Sequence, residues 1–202
     1  MSSNLRADAD NASTESAIKP GAVLELLRGR RTIHDFREDS PPQSLVLNAI
    51  EAARWAPNHH ATEPWHFYLL GPETIEAVSG LNRDLVAAKR GPDAGQEKYE
   101  RWRKIPGWVV VTSDLSPDNE IRQQEDYASC CCAIHNFSLY LWSEGIGVKW
   151  TTGPVTRDPQ FYDLIWVDPA IENVVGLMWY GYALEEPMIN RGDVESYLVT
   201  LP

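Results

Sequence analysis

Ala53-Arg54-Trp55-Ala56-Pro57-Asn58-His59-His60-Ala61-Thr62-Glu63-Pro64-Trp65-His66-Phe67 is the stretch on which the reading of this chain turns, together with Arg30-Arg31-Thr32 upstream. Leu45, Leu47, Ala49, Ile50, Ala52 and Ala53 predict an apolar helical face that ends before Pro57. A polar loop bounded by Pro57 and Pro64 then carries His59 and His60, and an aromatic strand follows from Trp65 to Leu70, stopped by Gly71-Pro72. Two guanidinium forks and a hydroxyl at Arg30, Arg31 and Thr32 can give several charge-assisted hydrogen bonds to a phosphate dianion. An isolated arginine pair after a helix is more often a solvated basic turn. The Ala-Pro-Asn-His loop downstream tips the reading toward an anion clamp with hydrogen-bonding groups and flat apolar walls nearby.

Outward from this stretch, residues 21–29 read as a short amphipathic helix built on Val23, Leu24, Leu26 and Leu27 and ended by glycine. Residues 74–89 read as a second helix, and the polar segment 90–103 as a mobile excursion outside the core. Residues 107–112 predict a buried strand from their β-branched density, and 120–144 a long central helix. Residues 148–152 and 173–182 are later strands. Helices and strands mix without regular alternation and without a Gly-rich strand-to-helix loop, so pattern alone supports only a mixed α/β class.

At 202 residues, 43% of them hydrophobic, the chain has enough length to bury a sizeable core. A formal charge of −11 argues against a general nucleic-acid partner, while leaving room for one small anion. Residues 1–19 read as a disordered polar tail before a domain spanning 20–202, with neither a secretory leader nor a membrane-length apolar run. The 3 cysteines, Cys130-Cys131-Cys132, are consecutive in an apolar helix and read as small buried hydrophobes. The expected location is cytoplasmic.

The motifs together resemble the FMN-dependent nitroreductase family, most closely its compact NAD(P)H nitroreductase-like members. The residues that carry the resemblance are Arg30-Arg31-Thr32-x-x-x-Phe36, Arg54-x-Ala56-Pro57-x-His59, Pro64-Trp65-His66-Phe67, Gly145-x-Gly147-x-x-Trp150-x-x-Gly153 and Val175 to Tyr182. The resemblance implies an α+β fold: a central, mostly antiparallel sheet flanked by helices, in an intertwined homodimer with FMN sites at the subunit boundary. It implies an oxidoreductase that passes hydride from NAD(P)H through flavin N5 to a small-molecule electron acceptor such as a nitroaromatic or quinone. The flavin would carry the chemistry, so no catalytic side chain is assigned. A flavin-binding sensor or store without turnover, or a dehalogenase or flavin-fragmenting oxygenase on the same fold, stays open.

By the same resemblance, Arg30, Arg31, Thr32, Arg54, His59, Trp150, Thr151 and Thr152 bind FMN, with Arg54 reaching across the dimer and His34 a weaker neighbour of the phosphate. Tyr140, Leu141, Trp142, Ser143, Glu144 and Gly145 align with a nicotinamide-cofactor segment whose plain reading is helix packing and termination. Two positions depart from the family pattern. Glu63 stands where glutamine is usual, and Thr151 replaces an arginine. His59, His60 and Glu63 superficially suggest a metal site, but the order is not His-Glu-x-x-His and prolines flank the segment, so no metal is assigned.

Overall fold

The computed structural model describes Lys19 and residues 21–202, so the expected tail over residues 1–19 lies outside the described residues apart from Lys19. Elements run α1 (Ala22–Gly29), α2 (Gln43–Ala53), β1 (Trp65–Leu69), α3 (Pro72–Arg90), α4 (Pro92–Trp102), β2 (Gly107–Asp114), α5 (Glu120–Ser143), β3 (Gly147–Thr151), α6 (Pro159–Ile165) and β4 (Glu172–Gly181). The strands form an antiparallel sheet in the order β1-β2-β4-β3. Helices flank it on both faces, which makes this an α+β fold.

Side chains alternate across a strand, and the sheet uses that period to serve two cores. Val109, Val111, Met178 and Tyr180 face a cluster with Ala53, Ile134, Phe137 and Leu141 of α2 and α5. Trp108, Val110, Leu177 and Trp179 face the other way, toward Val78, Phe161 and Ile165 of α3 and α6. Because both faces are covered, Trp108 to Val111 are all fully buried, which is why they read as a continuous apolar run. Trp102 of α4 meets Trp108 and Trp179 edge-on, with ring centroids 5.6 and 4.9 Å away. Three of the eight tryptophans are therefore spent on one aromatic cluster beneath the sheet.

Helix α5 is the long central helix expected from the sequence, capped at its start by the Asn119 side chain accepting from the Arg122 amide. Its three cysteines do not share one environment: Cys130 is buried, Cys131 is half-buried and Cys132 is exposed. Successive residues on a helix point about 100° apart, so Cys130 sits in the core, Cys131 packs at its margin and Cys132 faces outward.

The segment 90–103 is a correction. It is helical over Pro92–Trp102, with proline at the first helical position, and packs against α3. Gly95 allows the close crossing, since a Cβ there would lie 2.6 Å from the Arg83 carbonyl oxygen. Polar composition hid Trp102, whose apolar partners Trp108 and Trp179 lie on the sheet. Helix α6 was not foreseen in the sequence either.

Candidate functional site

β3 is the edge strand of the sheet, and its outer side receives the segment after α1. Thr32 bridges to Val148 in parallel fashion, and the Ile33 amide donates to the Val148 carbonyl at 3.2 Å. Ile33 is fully buried against Gly147, where an added Cβ would collide with it. A glycine at 147 is thus what lets the Arg30-Arg31-Thr32 segment lie along β3. Thr151 and Thr152 lie three and four residues beyond Val148, roughly 10–13 Å away at a strand rise of about 3.3 Å. The structure therefore brings Arg30, Arg31, Thr32, Trp150, Thr151 and Thr152 onto one edge.

The arginines divide the work. Arg31 donates through Nε to the Pro187 carbonyl at 3.0 Å and through Nη1 to the carbonyls of Gly29 and Arg30 at 2.9 and 3.1 Å. It ties off the C-terminal carbonyls of α1 and anchors the chain after Pro187. Arg30 sits beside Arg31 and Arg191, and burial, then Arg191, then Arg31, push its guanidinium pKa down. Mutually repelling cations of this kind favour an anion between them. Arg191 was missed in the sequence because residues 184–190 carry no motif, and the Arg31–Pro187 tie brings it back to the clamp.

The indole of Trp150 lies across the neighbouring strand, its Nε1 donating to the Val175 carbonyl at 3.3 Å. Gly176 leaves the room, since a Cβ there would meet the indole itself. The residue is 39% exposed and lies on the α5 face of β3 with Met178, whereas Thr151 points to the opposite face with Leu177.

Arg54 and His59 lie elsewhere. Arg54 is exposed and paired with Glu51 at 3.0 Å. His59 belongs to a loop pinned to α5: Asn58 Nδ2 donates to Ser129 Oγ at 3.2 Å, Thr62 Oγ1 to buried Asp126 at 2.6 Å, and the Glu63 amide to Asn58 Oδ1 at 2.7 Å. The pins hold His60, Ala61 and Glu63 at φ of 64°, 48° and 47°, a left-handed conformation that costs energy without glycine. Glu63 is exposed, and the acidic residue beside His59 and His60 is Glu125 of α5, the three ligand atoms lying within 4.8 Å. The Arg30 segment sits at the opposite end of α5, where Gly29 meets Trp142. From Ser129 to Trp142 that helix spans roughly 20 Å.

The segment from Tyr140 to Gly145 ends α5. Leu141 is fully buried in the core, Ser143 Oγ donates to the Tyr140 carbonyl at 2.7 Å, and Gly145 turns the chain at φ 76°. Surface is left on Ser143, Glu144, Gly145 and parts of Tyr140 and Trp142. His34 is exposed, and its carbonyl accepts from Arg101 at 3.2 Å.

The nitroreductase family profile matches residues 27–182, from the clamp through the last strand. The chain belongs to the nitroreductase family. A Bacillus subtilis protein that bears the name "Putative NAD(P)H nitroreductase YfhC" is 28% identical over 182 residues, 88% of this chain and 93% of that protein. The nitroreductase-like family protein from Bacillus cereus superposes with a TM-score of 0.78 at 26% identity, covering 89% of this chain and 96% of that one. A nitroreductase with bound FMN from Bacteroides fragilis shares the fold, with a TM-score of 0.68 at 24% identity, covering 90% and 98%. As a nitroreductase family member, the chain places its matched segment over the whole sheet and the β3 edge.

Proposed function

We propose that this chain is an FMN-dependent NAD(P)H oxidoreductase of nitroreductase type, and the arginine cluster at the β3 edge is the observation that carries the reading. Arg30 and Arg191 repel one another, and a phosphate dianion between them would relieve that repulsion. Those two arginines and the Thr32 hydroxyl would hold the phosphate, and Arg31 would position them. The Trp150 face and the Thr151-Thr152 edge would flank the ring system. When bound, FMN supplies a two-electron relay between NAD(P)H and an acceptor such as a nitroaromatic or quinone. Among the chain's own residues none is assigned a proton-transfer role.

Arg54 and His59 complete such a site only from a second copy, because α5 separates them from Arg30 within one chain. Helix α1 supports that arrangement: it buries none of its residues, and Val23, Leu24 and Leu27 are 52%, 49% and 44% exposed. The segment beyond Leu184 is similarly unpartnered, with Met188, Tyr197 and Leu201 at least 79% exposed. We infer a homodimer that covers both surfaces.

The test begins with FMN titration of the purified protein, followed by anaerobic mixing with NADPH and NADH. Uptake of FMN and rapid bleaching of the flavin absorbance by either nicotinamide are expected. Protein that takes up FMN but bleaches with neither would leave a flavin-binding protein without turnover, and failure to take up FMN would remove the reading altogether.

A further inference from the structure

A second feature borders the β3 edge on the face of the sheet covered by α3 and α4. A cavity of about 360 Å³ opens there, lined by Lys89, Arg90, Lys98 and Lys149 around the indoles of Trp102 and Trp179. It shares Thr151 with the candidate flavin edge, and among the described residues no Asp or Glu lines it. In a chain of net charge −11, this concentration of cations is not a sampling of the surface composition. Arg101 also lines the cavity but is held by Asp35 at 2.9 Å. Lys149 places its ammonium 4.8 Å from the Trp179 ring centroid, and burial, then Arg101, then Lys98, lower its pKa.

Two buried donors at the same cavity lack partners. Asn82 is 6% exposed with Nδ2 unbonded, and Trp179 is 4% exposed with Nε1 unbonded. Both atoms are sealed from the cavity, so the ligand's chemistry is set by Lys89, Arg90, Lys98 and Lys149, none of which pairs with a carboxylate among the described residues. The indole floor asks for a flat ring, and the cations ask for a negative group on it. A volume of about 360 Å³ is at the low end for ligand pockets and suits one or two rings rather than a dinucleotide.

We propose that this cavity is the acceptor pocket and selects planar aromatic acids, a ring bearing a carboxylate that meets Lys149 and its neighbours. The assignment rests on the oxidoreductase reading for turnover, but not for binding. Reduction of a nitro group on such a ring to nitroso takes two electrons and two protons and releases water. The hydride comes from NAD(P)H and the second proton from solvent, leaving NAD(P)⁺.

The experiment uses FMN-loaded protein with 4-nitrobenzoate and 4-nitrobenzamide, which differ in charge but scarcely in shape. The wild type should favour the acid in kcat/KM by on the order of tenfold, the value of one charged hydrogen bond. Lys149→Met should abolish the preference by slowing only the acid, and Lys149→Arg should restore it. Equal use of acid and amide, or an equal loss for both in Lys149→Met, overturns the proposal. So does a rise in KM for NADPH with the acid unaffected, which would make the cavity a phosphate site for the nicotinamide cofactor. A separate arm titrates 2-naphthoate into oxidised protein and follows quenching of tryptophan fluorescence. If no acceptor turns over, the oxidoreductase reading fails while this arm still decides the pocket: Lys149-dependent binding supports it, and absence of binding overturns it.

Discussion

Arg30 and Arg31 are adjacent in sequence, yet their surroundings assign them different work. Arg31 spends its donors on the carbonyls of Gly29, Arg30 and Pro187, whereas Arg30 faces Arg191. Arg30→Ala should weaken FMN by roughly tenfold to a hundredfold, the equivalent of about 1.5–3 kcal/mol, and leave riboflavin unaffected. Isothermal titration with the two flavins measures this. Arg31→Ala should instead weaken both flavins and speed amide exchange in the segment after Pro187, because its loss frees the tail. The cysteines make a second residue-scale case. Burial pushes the Cys130 thiol up to about 12, while Cys132 is exposed. A thiol reagent at pH 8 should label Cys132 rapidly and leave Cys130 unmodified until the protein unfolds, which mass spectrometry of the α5 peptide would read. Burial likewise raises Tyr180 from 10.0 to about 12. Both groups keep their protons when folded and release them sooner when unfolded. Their contribution to stability is therefore complete below about pH 9 and declines as pH climbs toward 12.

At the scale of elements, the site depends on how closely the post-α1 segment lies on β3. Gly147→Ala places a methyl in the Ile33 side chain and should cost about 1–3 kcal/mol, or roughly 2–4 °C of Tm per kcal/mol. The same displacement carries Thr32 away from Val148, so FMN should stabilise the variant less than the wild type. Thermal unfolding with and without FMN separates the two effects. A variant that melted early yet gained the full FMN increment would show that the contact serves stability alone. Helices α3 and α4 bring Lys89, Arg90 and Lys98 to the same end of the sheet as Lys149, which is how a helix that looked like a loop comes to line a pocket.

Across the whole molecule, the separation of His59 from Arg30 along α5 means that the proposed FMN site, if it uses both, needs a second subunit. Sedimentation equilibrium should report twice the mass of the 22.8 kDa chain, and unfolding midpoints should rise with protein concentration. Arg54→Ala and Arg30→Ala subunits, each defective alone, should regain one working site when mixed, because a heterodimer pairs intact halves. Absence of complementation with both variants folded would place Arg54 outside the flavin site.

What the amino-acid order determined by itself was local and periodic. The β-branched run at 109–111, the helical spacing across α2 and α5, and the arginine pair followed by the Pro57–Pro64 loop each carry their signal within a few residues. A mixed α/β class and the arginine pair were legible for that reason, whereas the α+β class followed only from the resemblance to the nitroreductase family. The tertiary structure alone decided the rest. Arg191 reaches the clamp through a contact spanning 156 positions, between Arg31 and Pro187. The cationic pocket is assembled from α3, α4 and β3, whose lysines and arginines individually resemble ordinary surface charge. Helix α4 hides Trp102 among charges because its partners, Trp108 and Trp179, come from β2 and β4. Electrostatic and packing energies act through distance in space, and distance along the chain encodes them only where the fold is local.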